Sequence, residues 1–236
     1  GDDGCDFELA QAGERQQLRT RYVIGADGGN SAMRRSLFPR LNAHLRVCYR
    51  ECYQGPAGIR KDYLHFFFPT GPLDTRFAAH HKDDILVLEG SGLRELKNEV
   101  RHILSRDYGY DLGNNLLWKD GCVEPNLYDE LFSGTFAPAK GNVLLVGDAG
   151  GLLIPLSSEG IGSALLTGLL AADSIIKAER YGGKAAELYL KGLQPILSQL
   201  KNVYSHYDQI RDAEARGVQA MARVLRAAWQ KTLDVV

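Results

Sequence analysis

The chain has 236 residues, 44% of them hydrophobic, enough to bury one large core or two smaller ones. Lys and Arg total 28 against 29 Asp and Glu, so bulk charge gives no attraction to nucleic acid, and no run supplies the interleaved basic and aromatic residues of a binding strip. Four cysteines without a CxxC pair argue against a disulfide framework or a zinc site, and the absence of a leader-like pattern or an apolar stretch long enough for a bilayer predicts a cytoplasmic protein with reduced thiols.

Residues 5–24 read as a hairpin: CDFELAQAG alternates apolar and polar residues, Gly13-Glu14 turns the chain, and LRTRYVIGAD returns it. GADGGNSAMRR follows, with Asp27-Gly28 as turn chemistry and Ser31 as a helix N-cap. Next, LRVCYRECY, KDYLHFFFP, DTRFAAHH and DILVLEG are short aromatic and β-branched runs broken by GPAG, TGP and KDD, the pattern of an antiparallel sheet. Cys48 and Cys52 share a face there and read as small core residues. His80 and His81 read as turn residues, and no metal-ligand set is recognisable. Tyr63, His65 and Phe67 alternate with Leu64, Phe66 and Phe68, so the two sets face opposite sides of the sheet, and both sides are apolar. Either one side packs on a helix while the other lines a cavity, or the strand is sandwiched between two layers. His65 is accordingly a proton donor in a pocket or a structural hydrogen-bond donor. Leu93, Leu96, Val100, Ile103 and Leu104 then form a helical stripe ending at Gly109, and LLWKDGCVEP returns as a strand.

Residues 143–178 read as a buried strand, a glycine-rich loop and a long helix. Val143 to Val146 is a continuous apolar run of the kind buried on both faces of a parallel sheet. It stops at Gly147-Asp148, which places a carboxylate at the strand's carboxyl end, where open α/β sheets hold ligands and where Asp148 is placed to accept a hydroxyl hydrogen bond from a bound polyol or ribose. Glu159 opens the helix, and Gly160 and Gly162 in its first turn leave amides uncovered for an electron-rich ligand atom. Gly182-Gly183 ends it. Two further helices follow, AAELYLKGLQPILSQLKNVYSHY with Pro195 as a kink and the amphipathic AEARGVQAMARVLRAAWQKTLDVV. Their cations with Trp229 form either a charged outer face or a peripheral membrane contact.

Two of these stretches carry a family resemblance. Gly147-Asp148-Ala149, then Pro155, then Glu159-Gly160-Ile161 before a small-residue-rich helix resembles the second flavin-contacting motif of the flavoprotein superfamily that includes para-hydroxybenzoate hydroxylase. Asp27-Gly28, Ser31, Met33 and Arg34 resemble its other flavin motif, a strand ending in Gly-Ala-Asp-Gly before a helix. GDAGGLLIPLSSEGIGSAL is most similar to the geranylgeranyl reductase branch, because the aromatic hydroxylases usually place a histidine where Gly150-Gly151 stand. The resemblance implies an α/β fold, α+β over the whole chain. A FAD-binding Rossmann-like three-layer domain would come from residues 1–40 and 135–183, an inserted antiparallel substrate domain from 41–134, and helices from 184–236. It also implies FAD as cofactor, with Asp148 on the ribityl chain and the amides around Glu159, Gly160 and Ile161 on the pyrimidine end of the ring. Asp27, Gly28, Arg34, Gly147, Ala149, Pro155 and Ser158 complete the expected cofactor site, Ser158 standing where the family commonly has glycine. Tyr63, His65 and Phe67 are the substrate candidates. Phe66, Phe68 and Pro69 loosely match the reductases' aromatic motif ending in Phe-Pro, with Phe66 where a tryptophan is usual.

The family's opening G-x-G-x-x-G, which brings helix amides against the FAD pyrophosphate, has no counterpart here. Gly160-Ile161-Gly162-Ser163-Ala164-Leu165 lacks the third glycine and starts inside a helix. The chain therefore resembles the last part of the fold, and the missing segment is expected before Gly1 as a partner of the site. The activity implied is that of a FAD-dependent oxidoreductase reducing carbon–carbon double bonds of a hydrophobic isoprenoid substrate, with hydride from NAD(P)H or another donor. The alternatives are a flavin-dependent aromatic monooxygenase or halogenase, whose Pro-x-x-Ser-x-Gly run accommodates Ser158, and a truncated, non-catalytic flavoprotein module. No residue is assignable as the catalytic acid.

Overall fold

The alternation at the start of the chain folds as a hairpin: β1 (Cys5–Gln11) and β2 (Glu14–Thr20) pair antiparallel from Cys5↔Thr20 to Gln11↔Glu14, with Gly13 at φ +88°. In the computed structural model, which describes residues 4–11, 13–68 and 76–232, the returning strand does not run on to Gly25 as the pattern suggests. It breaks at Arg21-Tyr22, where both side chains donate to Glu179, the tyrosine at 2.9 Å, and β3 (Val23–Gly25) joins a different sheet. A short helix, α1 (Ala32–Leu37), follows with Ser31 as its N-cap, its hydroxyl accepting from the Arg34 amide at 2.8 Å.

The chain divides into two compact units, one of Gly1–Leu45, Glu124–Tyr207 and Ala228–Val236, the other of Arg46–Val123 and Asp208–Ala227. The second unit is built on a five-stranded sheet. Its strands are β4 (His44–Gln54), β5 (His65–Phe67), β6 (Phe77–Lys82), β7 (Ile85–Gly90) and β8 (Leu116–Asn126), in the order β5-β6-β7-β4-β8. Within the described residues these runs hold the strands their composition suggests, although KDYLHFFFP is a strand only over His65–Phe67, with Tyr63 ahead of it. His80 and His81 lie within β6, however; the turn falls at Asp83-Asp84, where Asp83 takes φ +56°, because the register pairs Lys82 with Ile85. The helical stripe is α2 (Lys97–Tyr108), capped by Gly109 at φ +62°. Leu93, Leu96, Val100 and Leu104 share one core with Tyr53, Phe77, Ala79, Leu86 and Leu88, so α2 covers one face of the sheet. The buried Glu51 carboxylate on that face accepts from Lys97 of α2 and from the Tyr53 hydroxyl, which leaves the charge paired.

In the first unit, α3 (Tyr128–Ser133) precedes β9 (Ala139–Lys140) and β10 (Val143–Leu145). β10 pairs in parallel with β3, Val143↔Val23 to Leu145↔Gly25, and antiparallel with β9, giving the order β3-β10-β9. A 3-10 turn over Gly147–Gly150 leads to α4 (Ile161–Tyr181), then α5 (Ala185–Tyr204), α6 (His206–Glu214) and α7 (Val218–Thr232). Ser163, Thr167, Ala171, Ser174 and Ala178 are the buried face of α4. Small residues there let α5 approach: a Cβ on Gly192 of α5 would meet Leu170 of α4 at 2.6 Å. Tyr189 of α5, fully buried, donates to the Leu145 carbonyl of β10 at 2.7 Å and locks helix to strand. The opposite face of α4 shows Ile161, Leu165, Leu169 and Ile176 to solvent. By length and composition α4 could cross a membrane, which corrects the reading that no stretch is long enough, although Asp173 and Lys177 pair on it at 2.6 Å. Beyond α4, among the described residues, there are three helices rather than two. The stripe of α6 is short, with Ile210 and Ala213 buried, and the pattern hides it between its longer neighbours.

Leu88 is fully buried between β6, β4 and α2, and Leu88→Ala should lower stability by roughly 2–5 kcal/mol through lost transfer energy and an unfilled cavity. Chemical denaturation of the purified protein checks this, with the midpoint moving to lower denaturant.

Candidate functional site

The glycine motif after β3 and the glycine motif after β10 meet because their strands are adjacent and parallel, so both loops leave the same end of the sheet. Asp27 turns the first loop into α1: its carboxylate accepts from the Ser31 hydroxyl at 2.6 Å and from the Met33 amide at 3.0 Å. Burial pushes its pKa up, but these hydrogen bonds favour the carboxylate more, and it ends below the ordinary value. Gly28 takes φ +74° beside it.

Arg34, only 2% exposed, joins the two loops. Its guanidinium donates to the Asp148 carbonyl at 3.1 Å, the Ala149 carbonyl at 2.9 Å and the Gly29 carbonyl at 2.5 Å. Arginine is the side chain that can do this, a planar fork of donors reaching three acceptors at once. Arg34 is thus committed to main-chain carbonyls of both motifs.

In the second loop, Gly147 takes φ +52°, its amide donates to Thr167 Oγ1 at 3.0 Å, and a Cβ there would sit 2.7 Å from that of Ala164. The turn is therefore seated directly on α4. Asp148 follows, half-buried, with Ala149 fully buried behind it. The Asp148 carboxylate lies against the start of α4: a Cβ on Gly160 would meet its Oδ1 at 2.8 Å and Leu153 Cδ2 at 2.8 Å. Burial, then the charge of Glu124, raise the pKa of Asp148, with its own amide and Arg34 opposing. Glu124 itself is 7% exposed, a buried second carboxylate near Asp148 that nothing in the local sequence marks. Thr167 was equally illegible, since its partner lies twenty residues away.

Between loop and helix the chain makes a tight return. Pro155 is buried in a turn, the Ser158 amide donates to the Ile154 carbonyl at 3.0 Å, and the Ile154 amide donates to the Glu159 carbonyl at 2.9 Å. Leu156 at φ +72° and Ser158 at φ +56° both adopt left-handed backbone, which suits glycine better and costs each of them of order 1 kcal/mol or more. Helix α4 begins at Ile161, with Gly160 as N-cap rather than inside the first turn. The expectation of uncovered amides is corrected here: Glu159 Oε1 accepts from Ile161 N at 2.9 Å and from Gly162 N at 3.3 Å. The helix start satisfies its own donors with the adjacent exposed carboxylate.

The substrate candidates lie in the other unit, and not all alike. Phe67 stacks on Phe77 at 4.7 Å and pairs with it in register, which puts Phe67 and, two residues back, His65 on the sheet face that α2 covers. His65 Nε2 is 3.1 Å from the Arg60 carbonyl, and the Tyr63 ring lies under the Arg60 guanidinium at 3.9 Å. Pro69 falls outside the described residues. On the other face, Arg50 of β4 pairs with Glu89 of β7 at 3.3 Å, and His80 Nδ1 is 3.9 Å from the same carboxylate, its pKa lowered by burial against the pull of Glu89. Register places them there, Arg50↔Glu89 and His80 beside Ala78↔Glu89.

Two adjacent glycine loops with a carboxylate facing a helix start thus stand on a mixed α+β framework. The fold resembles that of FAD-dependent oxidoreductases, and the curated relatives are named as reductases. No protein-family model matches the chain. It is 27% identical over 214 residues to digeranylgeranylglycerophospholipid reductase 3 of Methanosphaera stadtmanae, covering 84% of this chain and 51% of the relative. It is 25% identical over 226 residues to geranylgeranyl diphosphate reductase of Rhodobacter capsulatus, covering 85% and 53%. The chain thus spans about half the length of these relatives. A geranylgeranyl bacteriochlorophyll reductase-like structure from Thermoplasma acidophilum superposes with TM-score 0.64 at 16% identity, over 99% of this chain and 66% of that one. Structures of a flavin-dependent halogenase and a probable FAD-dependent monooxygenase share the fold as well.

Arg34→Lys keeps the charge but replaces the planar fork with a point donor, and should cost roughly 2–4 kcal/mol as two or more buried carbonyls lose their partner. The denaturation midpoint measures it. Asp148 titrates higher in the folded chain than in the unfolded one, so its contribution to stability is fullest below the unfolded pKa and is lost as pH rises through the folded pKa. Asp148→Asn should therefore be more stable than the parent at neutral pH, with the gap closing in acid, as denaturation midpoints across the acid range will show.

Proposed function

We propose that the chain is the downstream part of a FAD-dependent reductase that saturates carbon–carbon double bonds of isoprenoid chains. The observation that carries this reading is the joining of the two glycine loops by Arg34, which leaves the Asp148 carboxylate at the start of α4. The residues fit the cofactor. Gly160 keeps the space beside Asp148 open, since a Cβ would fill it, and the half-buried carboxylate is an acceptor suited to a ribityl hydroxyl. FAD, when bound, supplies the hydride chemistry. Asp148 would hold the ribityl chain, and the amides of Ile161 and Gly162, released by Glu159, would face the pyrimidine end of the ring. Asp27 and Gly28 shape the first loop, Arg34 fixes the Asp148 and Ala149 carbonyls, and Pro155 and Ser158 set the return that aims Glu159 and Gly160. Of the substrate-side candidates, Phe67 is engaged with Phe77 and the core under α2, which leaves exposed Tyr63 and half-buried His65 as the more accessible of the three. The electron donor is a reduced nicotinamide, NAD(P)H, or another hydride source.

The reductase names of the two curated relatives support this over the oxygen-dependent reading, which rests on shared fold alone. In full-length protein, Asp148→Ala should weaken FAD retention tenfold to hundredfold, about 1.5–3 kcal/mol for one charge-assisted hydrogen bond, read as flavin absorbance at matched protein concentration. Reduced flavin in the parent protein should be reoxidised anaerobically by a polyprenyl lipid in stopped flow. Product formation only with oxygen would replace the reductase reading by the monooxygenase or halogenase one.

A further inference from the structure

Cys48 and Cys122 stand on neighbouring strands of the five-stranded sheet, β4 and β8, with their sulfurs within 4.8 Å of each other. The two strands run antiparallel. The Gln54 amide at the end of β4 donates at 2.8 Å to the Asn115 carbonyl just before β8, while Gly121 further along β8 faces Cys48, whose carbonyl a Cβ would meet at 3.3 Å. That same Cβ would touch the side chains of Val47 and Tyr49, so Gly121 points to their side. Side chains alternate along a strand, which puts Cys48 and Cys122 together on the other face. Opposed residues in an antiparallel ladder have Cα atoms about 4.5–5.5 Å apart, inside the roughly 4.4–6.8 Å that a disulfide spans, and sulfurs within 4.8 Å of each other on neighbouring strands fit such a pair. Cys122 is exposed and Cys48 half-buried, an attacking thiol with a resolving thiol behind it.

We propose that Cys48 and Cys122 are a site of oxidative modification, a thiol pair that hydrogen peroxide converts into a disulfide between β4 and β8. The Cys122 thiolate attacks one peroxide oxygen; the O–O bond breaks, and hydroxide leaves and takes a proton to become water, giving a sulfenic acid on Cys122. The Cys48 thiolate attacks that sulfur; the S–S bond forms, the S–O bond breaks, and the second hydroxide leaves as water. The thiols together give up two electrons and two protons, and the peroxide is reduced to two waters. Among the described residues β8 stands at the edge of its sheet, beside β4, so the bond fastens an edge strand by covalent means. The pair stands outside the flavin reading and does not depend on it.

The test is peptide mapping of the full-length protein after equimolar hydrogen peroxide, with alkylation of the remaining thiols. A linked Cys48–Cys122 peptide is expected, with loss of two hydrogen masses reversed by a thiol reductant, while Cys5 and Cys52 stay alkylated. Cys48→Ser should stop at a sulfenic acid on Cys122 that dimedone traps, and Cys122→Ser should slow oxidation at Cys48 about tenfold or more. Recovery of Cys48 and Cys122 alkylated after peroxide, or of Cys122 oxidised with Cys48 still alkylated in the parent protein, would overturn the proposal. The parent-protein map decides the matter even if a variant folds poorly.

Discussion

A single buried guanidinium holds the candidate site together. The loops after β3 and β10 are each rich in glycine and would each be loose alone, since neither has side chains enough to pack itself. Arg34 reaches from α1 to the carbonyls of Gly29, Asp148 and Ala149 and so makes one object of them. Removing a charge from water is expensive, and here the cost is offset by three acceptors with the Asp27 and Asp148 charges close by. The rest of the first unit is arranged so that this geometry can exist. Ser31 and Asp27 start α1 where Arg34 can reach, Thr167 holds the Gly147 amide, and Tyr189 ties β10 to α5.

Much of this was legible because the signals are local. Gly-Asp after a buried apolar run, Ser31 before a helix and the all-apolar β10 each follow from the chemistry of a few neighbouring residues. The direct parallel pairing of β3 with β10 was not legible: Val23 to Gly25 read as the end of the returning hairpin strand, and the partner lies more than a hundred residues away. What escaped has non-local causes. Glu124 is brought near Asp148 by the return of β8, and no periodicity announces it. The capture of two helix amides by Glu159 depends on the left-handed backbone at Ser158, a conformation that a serine does not advertise. Arg34 could be foreseen as conspicuous by its motif, but not as the donor that joins carbonyls of both loops.

The five-stranded sheet shows the same division. Alternation at Tyr63 to Phe68 established that two faces exist and that both are apolar, yet only register says which is which. Pairing Phe67 with Phe77 and His65 with Ala79 assigns their face to the core shared with α2. The opposite face then carries Arg50, Glu89 and His80, a polar set drawn from three strands. His80 and His81 read as turn residues because Lys82-Asp83-Asp84 follows them; the turn is only two residues long, and the strand runs up to it.

Glu159 changes what binding at the start of α4 can mean. A helix end whose amides are open gains a new hydrogen bond for each ligand atom it accepts. Here the Ile161 and Gly162 amides already have a carboxylate partner, so an arriving atom performs an exchange, and the free energy realised is the difference between two bonded states. The displaced carboxylate is exposed and returns to water, which keeps the exchange near balance. Such an end selects for the shape and placement of its ligand while contributing little to how tightly it is held.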